Sequence, residues 1–151
     1  MAAMDVRYFD QFAVGDRFET GARTLDQAEM LAFGHAYDPQ PFHIDPEAAR
    51  QSIYGGLIAS GFQTLAFGFR LVLDTGIYHG SSLGSPGFDE LRWLKPVRAG
   101  DTIRVTAEVV EVRPSRSKPD RGIIRVAYTY LNQRDETVLT VLAMHLLARR
   151  G

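Results

Sequence analysis

The stretch Ile58-Ala59-Ser60-Gly61-Phe62-Gln63-Thr64-Leu65-Ala66-Phe67-Gly68-Phe69-Arg70-Leu71-Val72-Leu73 decides the fold. Leu65, Ala66, Phe67, Phe69, Leu71 and Val72 make it apolar nearly all round, the pattern of a helix buried on several sides. Ser60, Gln63, Thr64 and Arg70 interrupt it too often for a membrane span. The pattern sets this helix at about Ile58 to Leu73, and Asp74-Thr75-Gly76 ends it.

After this helix the period changes to two. Thr102 to Val112 alternates, with Ile103, Val105, Ala107 and Val109 on one face. Ile123 to Leu131 and Thr137 to Leu147 continue the pattern across the turn-prone run Asn132 to Glu136. Before the apolar helix, Arg17 to Thr24 reads as a short strand. Thr24-Leu25-Asp26-Gln27 has the form of a capping box that starts a helix at Thr24. Ala28, Leu31, Ala32 and His35 mark that helix's face, and Pro39 stops it near Tyr37. A further short helix is predicted from Pro46, with Asp45 as its N-cap. Helices early and long antiparallel strands late predict an α+β fold, a curved sheet wrapped around the apolar helix.

The chain of 151 residues is about one domain long, so 1–151 is expected to form a single domain. Seventeen basic and 18 acidic residues give a net charge of −1, which supports neither a nucleic-acid nor a membrane partner. Without cysteine, disulfides, thiolate catalysis and cysteine-bound zinc are excluded. Met1 to Asp10 has acidic and aromatic residues and no apolar run, so it does not read as a signal peptide, and the cytoplasm is the expected compartment.

Chemistry concentrates in Asp38-Pro39-Gln40-Pro41-Phe42-His43-Ile44-Asp45. Two prolines restrict the backbone and favour an extended, stiff path that presents a carboxylate and an imidazole five positions apart. Such a pair can hold and deprotonate one water. Asp38 could equally close the preceding helix, and His43 could equally be structural. Asp45 reads as a cap. A metal held by Asp38, His43 and Asp45 would lack further ligands, so no metal and no cofactor are expected. His35, His79 and His145 show no partner spacing and read as structural or surface residues. Gly55-Gly56-Leu57-Ile58-Ala59-Ser60-Gly61 places small residues and free N–H groups at the entrance of the apolar helix, where an anionic oxygen could be held. Leu91 to Asp101 reads as a strand end, a proline-bounded turn and a Gly-Asp entry into the next strand.

In this order, Asp38 to Asp45, Gly55 to Gly61 and Lys95 to Asp101 resemble the MaoC-like dehydratase family, which includes the (R)-specific enoyl-CoA hydratases. Phe12-Ala13-Val14-Gly15-Asp16 is similar to that family's opening. The resemblance implies a hot-dog fold, a homodimer, and a lyase of fatty acid metabolism acting on an acyl-CoA or acyl-carrier-protein thioester. It further implies Asp38 and His43 as the catalytic pair, the Gly61 N–H as oxyanion donor, and Gln40, Ser60 and Trp93 at the substrate. Gln40 stands where the family pattern has Asn, and Ser60 where it has His, which bears on substrate preference. Two alternatives stand beside this reading. One is a non-catalytic acyl-binding or heterodimer subunit. The other is a hot-dog thioesterase, although no acidic residue lies between Gly61 and Leu73.

Overall fold

A computed structural model describes residues 3–151; Met1 and Ala2, the start of the stretch read as lacking signal-peptide character, lie outside the described residues. A 3-10 turn at Phe9–Gln11 precedes β1 (Arg17–Glu19), β2 (Arg23–Thr24), α1 (Gln27–Tyr37), α2 (Pro41–Ile44), α3 (Pro46–Arg50) and α4 (Gly61–Asp74). Beyond α4 come β3 (Ser82–Gly84), β4 (Phe88–Trp93), β5 (Thr102–Pro114), β6 (Arg121–Leu131) and β7 (Thr137–Ala148). All pairings are antiparallel: β5, β6 and β7 form the centre, β1 and β2 share the outer edge of β5, and β3 and β4 share that of β7.

The period-two reading of the second half holds. Ile103, Val105, Ala107 and Val109 of β5, Ile124, Val126, Tyr128 and Tyr130 of β6, and Val141, Ala143 and Leu147 of β7 are all buried. This face packs on α4. Gly68 permits the approach, since a Cβ there would lie 2.1 Å from the Tyr130 ring. The Tyr130 hydroxyl then donates to the Leu65 carbonyl at 2.8 Å, so strand and helix are joined by a bond as well as by apolar burial. No helix among the described residues is long and apolar enough to cross a membrane.

Four local readings need correction. The predicted single strand Arg17 to Thr24 is two short strands. The first helix starts at Gln27 rather than Thr24, because Asp26, not Thr24, caps it by accepting from the Glu29 N–H at 2.8 Å. Thr24 is instead in β2, its hydroxyl bonded to that of Thr102. The buried positions of α1 are Met30 and Gly34, not the predicted face Ala28, Leu31, Ala32 and His35. The fourth correction concerns α4, which begins at Gly61, three residues later than expected. Ile58 and Ala59 are held outside the helix by bonds from the Ile58 N–H to the Phe42 carbonyl and from the Ala59 N–H to the Val97 carbonyl.

The apolar character of α4 has a different use from the one expected. Its buried side carries Phe67, Gly68, Leu71 and Val72, yet Phe62 and Leu73 are 63% and 49% exposed. Burial is one-sided.

Candidate active site

Pro39 ends α1 as predicted, and Asp38 leaves the helix at φ −151°, ψ 68°. The chain beyond Asp38 does not take the expected extended path. Pro41 occupies the first position of the single turn α2, where its missing N–H costs nothing and its φ suits the helix. That turn carries His43 back toward Asp38. The approach is set by Gly34, where a Cβ would meet the Ile44 side chain at 2.8 Å and the His43 carbonyl at 3.1 Å. Asp45 caps α3 as anticipated, accepting from the N–H groups of Glu47 and Ala48.

His43 is buried, and its Nδ1 lies 2.8 Å from the Ile58 carbonyl oxygen. A carbonyl only accepts, so Nδ1 carries a proton and Nε2 is turned toward Asp38. The distance from Nε2 to Asp38 Oδ2 is 3.3 Å. Asp38 receives two further donors: Gln40 Nε2 on Oδ1 and Ser60 Oγ on Oδ2, both at 2.7 Å. Burial pushes the carboxyl group's pKa up, but the hydrogen bonds from Gln40 and Ser60 and the nearby His43 outweigh it, holding Asp38 below its ordinary value.

Ser60 also caps α4, accepting from the Phe62 N–H at 3.3 Å. Gly61 is the first residue of α4, so its N–H has no partner one helical turn earlier inside the helix. Trp93 lies across this end. Its indole Nε1 donates to the Gly61 carbonyl at 2.9 Å, and a Cβ on Gly61 would lie 2.5 Å from the indole. A side chain at this position would therefore displace the tryptophan.

Asp38, Gln40, His43, Gly61 and Trp93 line one cavity of about 450 Å³, floored by apolar groups including Phe42, Ile58, Phe62 and Val97. Ser60, expected at the substrate, is 1% exposed and lies behind Asp38. The orienting carbonyl of Ile58 is marked by no feature of the sequence. Gly34, a glycine inside a helix, is a usable signal of close packing. Asp74, the acid that ends α4, is bound to Arg70 and lies outside the cavity lining. His145 is buried, 2.8 Å from the Tyr128 hydroxyl, and structural as expected.

A sheet wrapped around one helix, with a carboxylate–imidazole pair beside that helix's first turn, defines a hot-dog domain with a cleft that holds both groups. Residues 10–129 match the MaoC like domain family. The chain belongs to that family, a family of hydratases and dehydratases. A crystal structure of the MaoC-like dehydratase from Rhodospirillum rubrum is 40% identical with a TM-score of 0.89, covering 96% of this chain and 99% of that one. The uncharacterized protein YdeM of Bacillus subtilis (strain 168) is 31% identical over 129 residues, 85% of this chain and 90% of its own. An (R)-specific enoyl-CoA hydratase of Rhodospirillum rubrum is 27% identical over 77% of this chain and 80% of its own.

Proposed function

We propose that the protein is a hydro-lyase that adds water to, or removes it from, a trans-2-enoyl thioester. The observation that carries this reading is the oriented pair: His43 Nε2 and Asp38 Oδ2 face each other at 3.3 Å on the wall of an apolar cavity that Gly61 also lines. In the hydration direction, a water held by both groups attacks C3 of the enoyl group, and its proton passes to the pair. The electrons of the double bond move toward the thioester oxygen, where the Gly61 N–H stabilises the enolate. C2 then takes a proton from the same pair, so the protein returns to its starting state. The apolar lining suits an acyl chain carried on coenzyme A or a carrier protein, and a role in fatty acid metabolism in the cytoplasm fits such a substrate. The hydratase relative supports the reaction class.

Incubation with crotonyl-CoA tests it. The absorbance of the conjugated enoyl thioester is expected to fall without release of free thiol. Unchanged absorbance over a panel of chain lengths would remove the reading, and thiol release would replace it with thioester hydrolysis.

The working form is proposed to be a homodimer. The outer edge of β4 carries exposed Phe88 and Trp93, and beside it Phe69 packs edge-on to Phe88 at 6.0 Å while Phe62 and Leu73 of α4 lie open. An unpaired strand edge next to an apolar helix face is a surface that a second copy covers. Sedimentation equilibrium is expected to give twice the 16.8 kDa chain mass; a single-chain mass at micromolar concentration would refute the dimer.

A further inference from the structure

The two positions at which the motifs depart from the family pattern converge on one carboxylate. Gln40 Nε2 reaches Asp38 Oδ1 and Ser60 Oγ reaches Oδ2, each at 2.7 Å. Gln40 is two residues from Asp38 within one motif, whereas Ser60 reaches it across 22 residues from another. An ionised carboxylate has no proton to give and about four acceptor sites. Here each oxygen already holds a neutral donor, and Oδ2 also faces His43 Nε2 at 3.3 Å.

We propose that Gln40 and Ser60 are positioning residues that clamp Asp38 from both sides, fixing it as an ionised acceptor and leaving His43 as the group that exchanges protons with the substrate. This deepens the hydro-lyase reading and rests on it for the identity of the reaction, though not for the clamp itself. The geometry separates the two roles. Protonating Asp38 would weaken both donor bonds, because the Gln40 amide and the Ser60 hydroxyl bind a charged carboxylate more strongly than a neutral acid. Protonating His43 at Nε2 has no such cost, because it then donates to Oδ2 while Nδ1 keeps its bond to the Ile58 carbonyl. The longer arm of Gln40 is also required. An Asn is one methylene, about 1.5 Å, shorter and would fall out of hydrogen-bond range from the same backbone position. Ser60 is compact enough to be enclosed while also capping α4.

Other titratable groups around the carboxylate are few. His43 faces it from α2, and Tyr54 and Lys95 border the same cavity, with Lys95 held by Glu136 at 2.5 Å.

The test tracks the Asp38 carboxyl carbon by NMR as pH is varied, alongside kcat/KM for crotonyl-CoA. Gln40 is exposed, so Gln40→Leu leaves the fold intact and removes one donor. In this variant Asp38 is expected to titrate at higher pH than in the wild type, and kcat/KM to fall by about tenfold, through kcat more than KM. Gln40→Asn should behave like Gln40→Leu. Ser60→Ala should add a second upward displacement, and Ser60→Thr, which keeps the hydroxyl, should restore the wild-type titration. An unchanged Asp38 titration in Gln40→Leu overturns the clamp, whether or not the protein hydrates enoyl thioesters. A displaced titration in a protein inactive on every enoyl thioester keeps the clamp and removes the hydro-lyase reading instead.

Discussion

His43→Asn is expected to lower the hydration rate of crotonyl-CoA by about 10²–10⁴-fold with little loss of fold stability. The choice of Asn matters. Its side-chain amide nitrogen falls close to where Nδ1 stands, so a donor remains for the Ile58 carbonyl, which accepts the His43 bond at 2.8 Å. The group that disappears is Nε2, the atom facing Asp38 at 3.3 Å. His43→Ala removes both, leaves that buried carbonyl short of a partner and costs about 1–3 kcal/mol of stability besides. Asp38→Asn should give a comparable loss of rate, because a neutral amide cannot stabilise the imidazolium formed when Nε2 takes the water's proton. Thermal melting monitors the fold, and stopped assays at saturating thioester monitor kcat. Wild-type kcat in either Asn variant would rule out the assignment of these two residues. Activity should not vanish entirely, since the Gly61 N–H and the shaped cavity still favour the enolate.

How far this site can be read from the sequence depends on the range of each interaction. The sheet is legible because β5, β6 and β7 alternate over 11 to 13 residues, long enough for the period to dominate. The pair Asp38 and His43 is legible because five residues and two prolines confine it. The path between them is not. Pro41 is compatible with both an extended strand and a first helical turn, and the choice is made by Gly34, which lets α2 settle on α1. The cap of α1 misleads for a similar reason. Thr24 and Asp26 are both good caps, but Thr24 is claimed by pairing with Thr102, 78 residues away. Ser60 donating to Asp38 across 22 residues, and Trp93 pinned to Gly61 across 32, are tertiary facts that no local pattern encodes. The exposed side of α4 is hidden in another way. A helix apolar all round looks the same in sequence whether a single chain or a second copy covers its outer face.

Lowering the pH from about 6.5 to 4 is expected to cost the fold about 3 kcal/mol through His145 alone. His145 lies in the core, stacked on Tyr78 with ring centroids 4.3 Å apart, and its Nε2 is 2.8 Å from the Tyr128 hydroxyl, which in turn bonds Tyr78 at 2.7 Å. Burial lowers its pKa from 6.5 to about 4, because a charged imidazolium there would lose its hydration with no carboxylate to receive it. Between those two values the unfolded chain binds a proton at this position and the folded chain does not. Stability therefore rises with pH across the window: it is fully present above 6.5 and is lost as pH falls toward 4. Asp38 and Glu136, whose carboxyl groups titrate below their ordinary values in the fold, lose stability in the same direction, but only once the pH drops into the carboxylate range. His145→Phe isolates the effect. At pH 7.5 the variant should be the less stable protein by about 1 kcal/mol, since the Tyr128 hydroxyl loses a partner. At pH 5 the gap should close or invert, because phenylalanine has no proton to bind in the unfolded state. Urea unfolding at the two pH values measures both quantities, and a wild-type to variant difference that does not change with pH would show that His145 is not held neutral in the core.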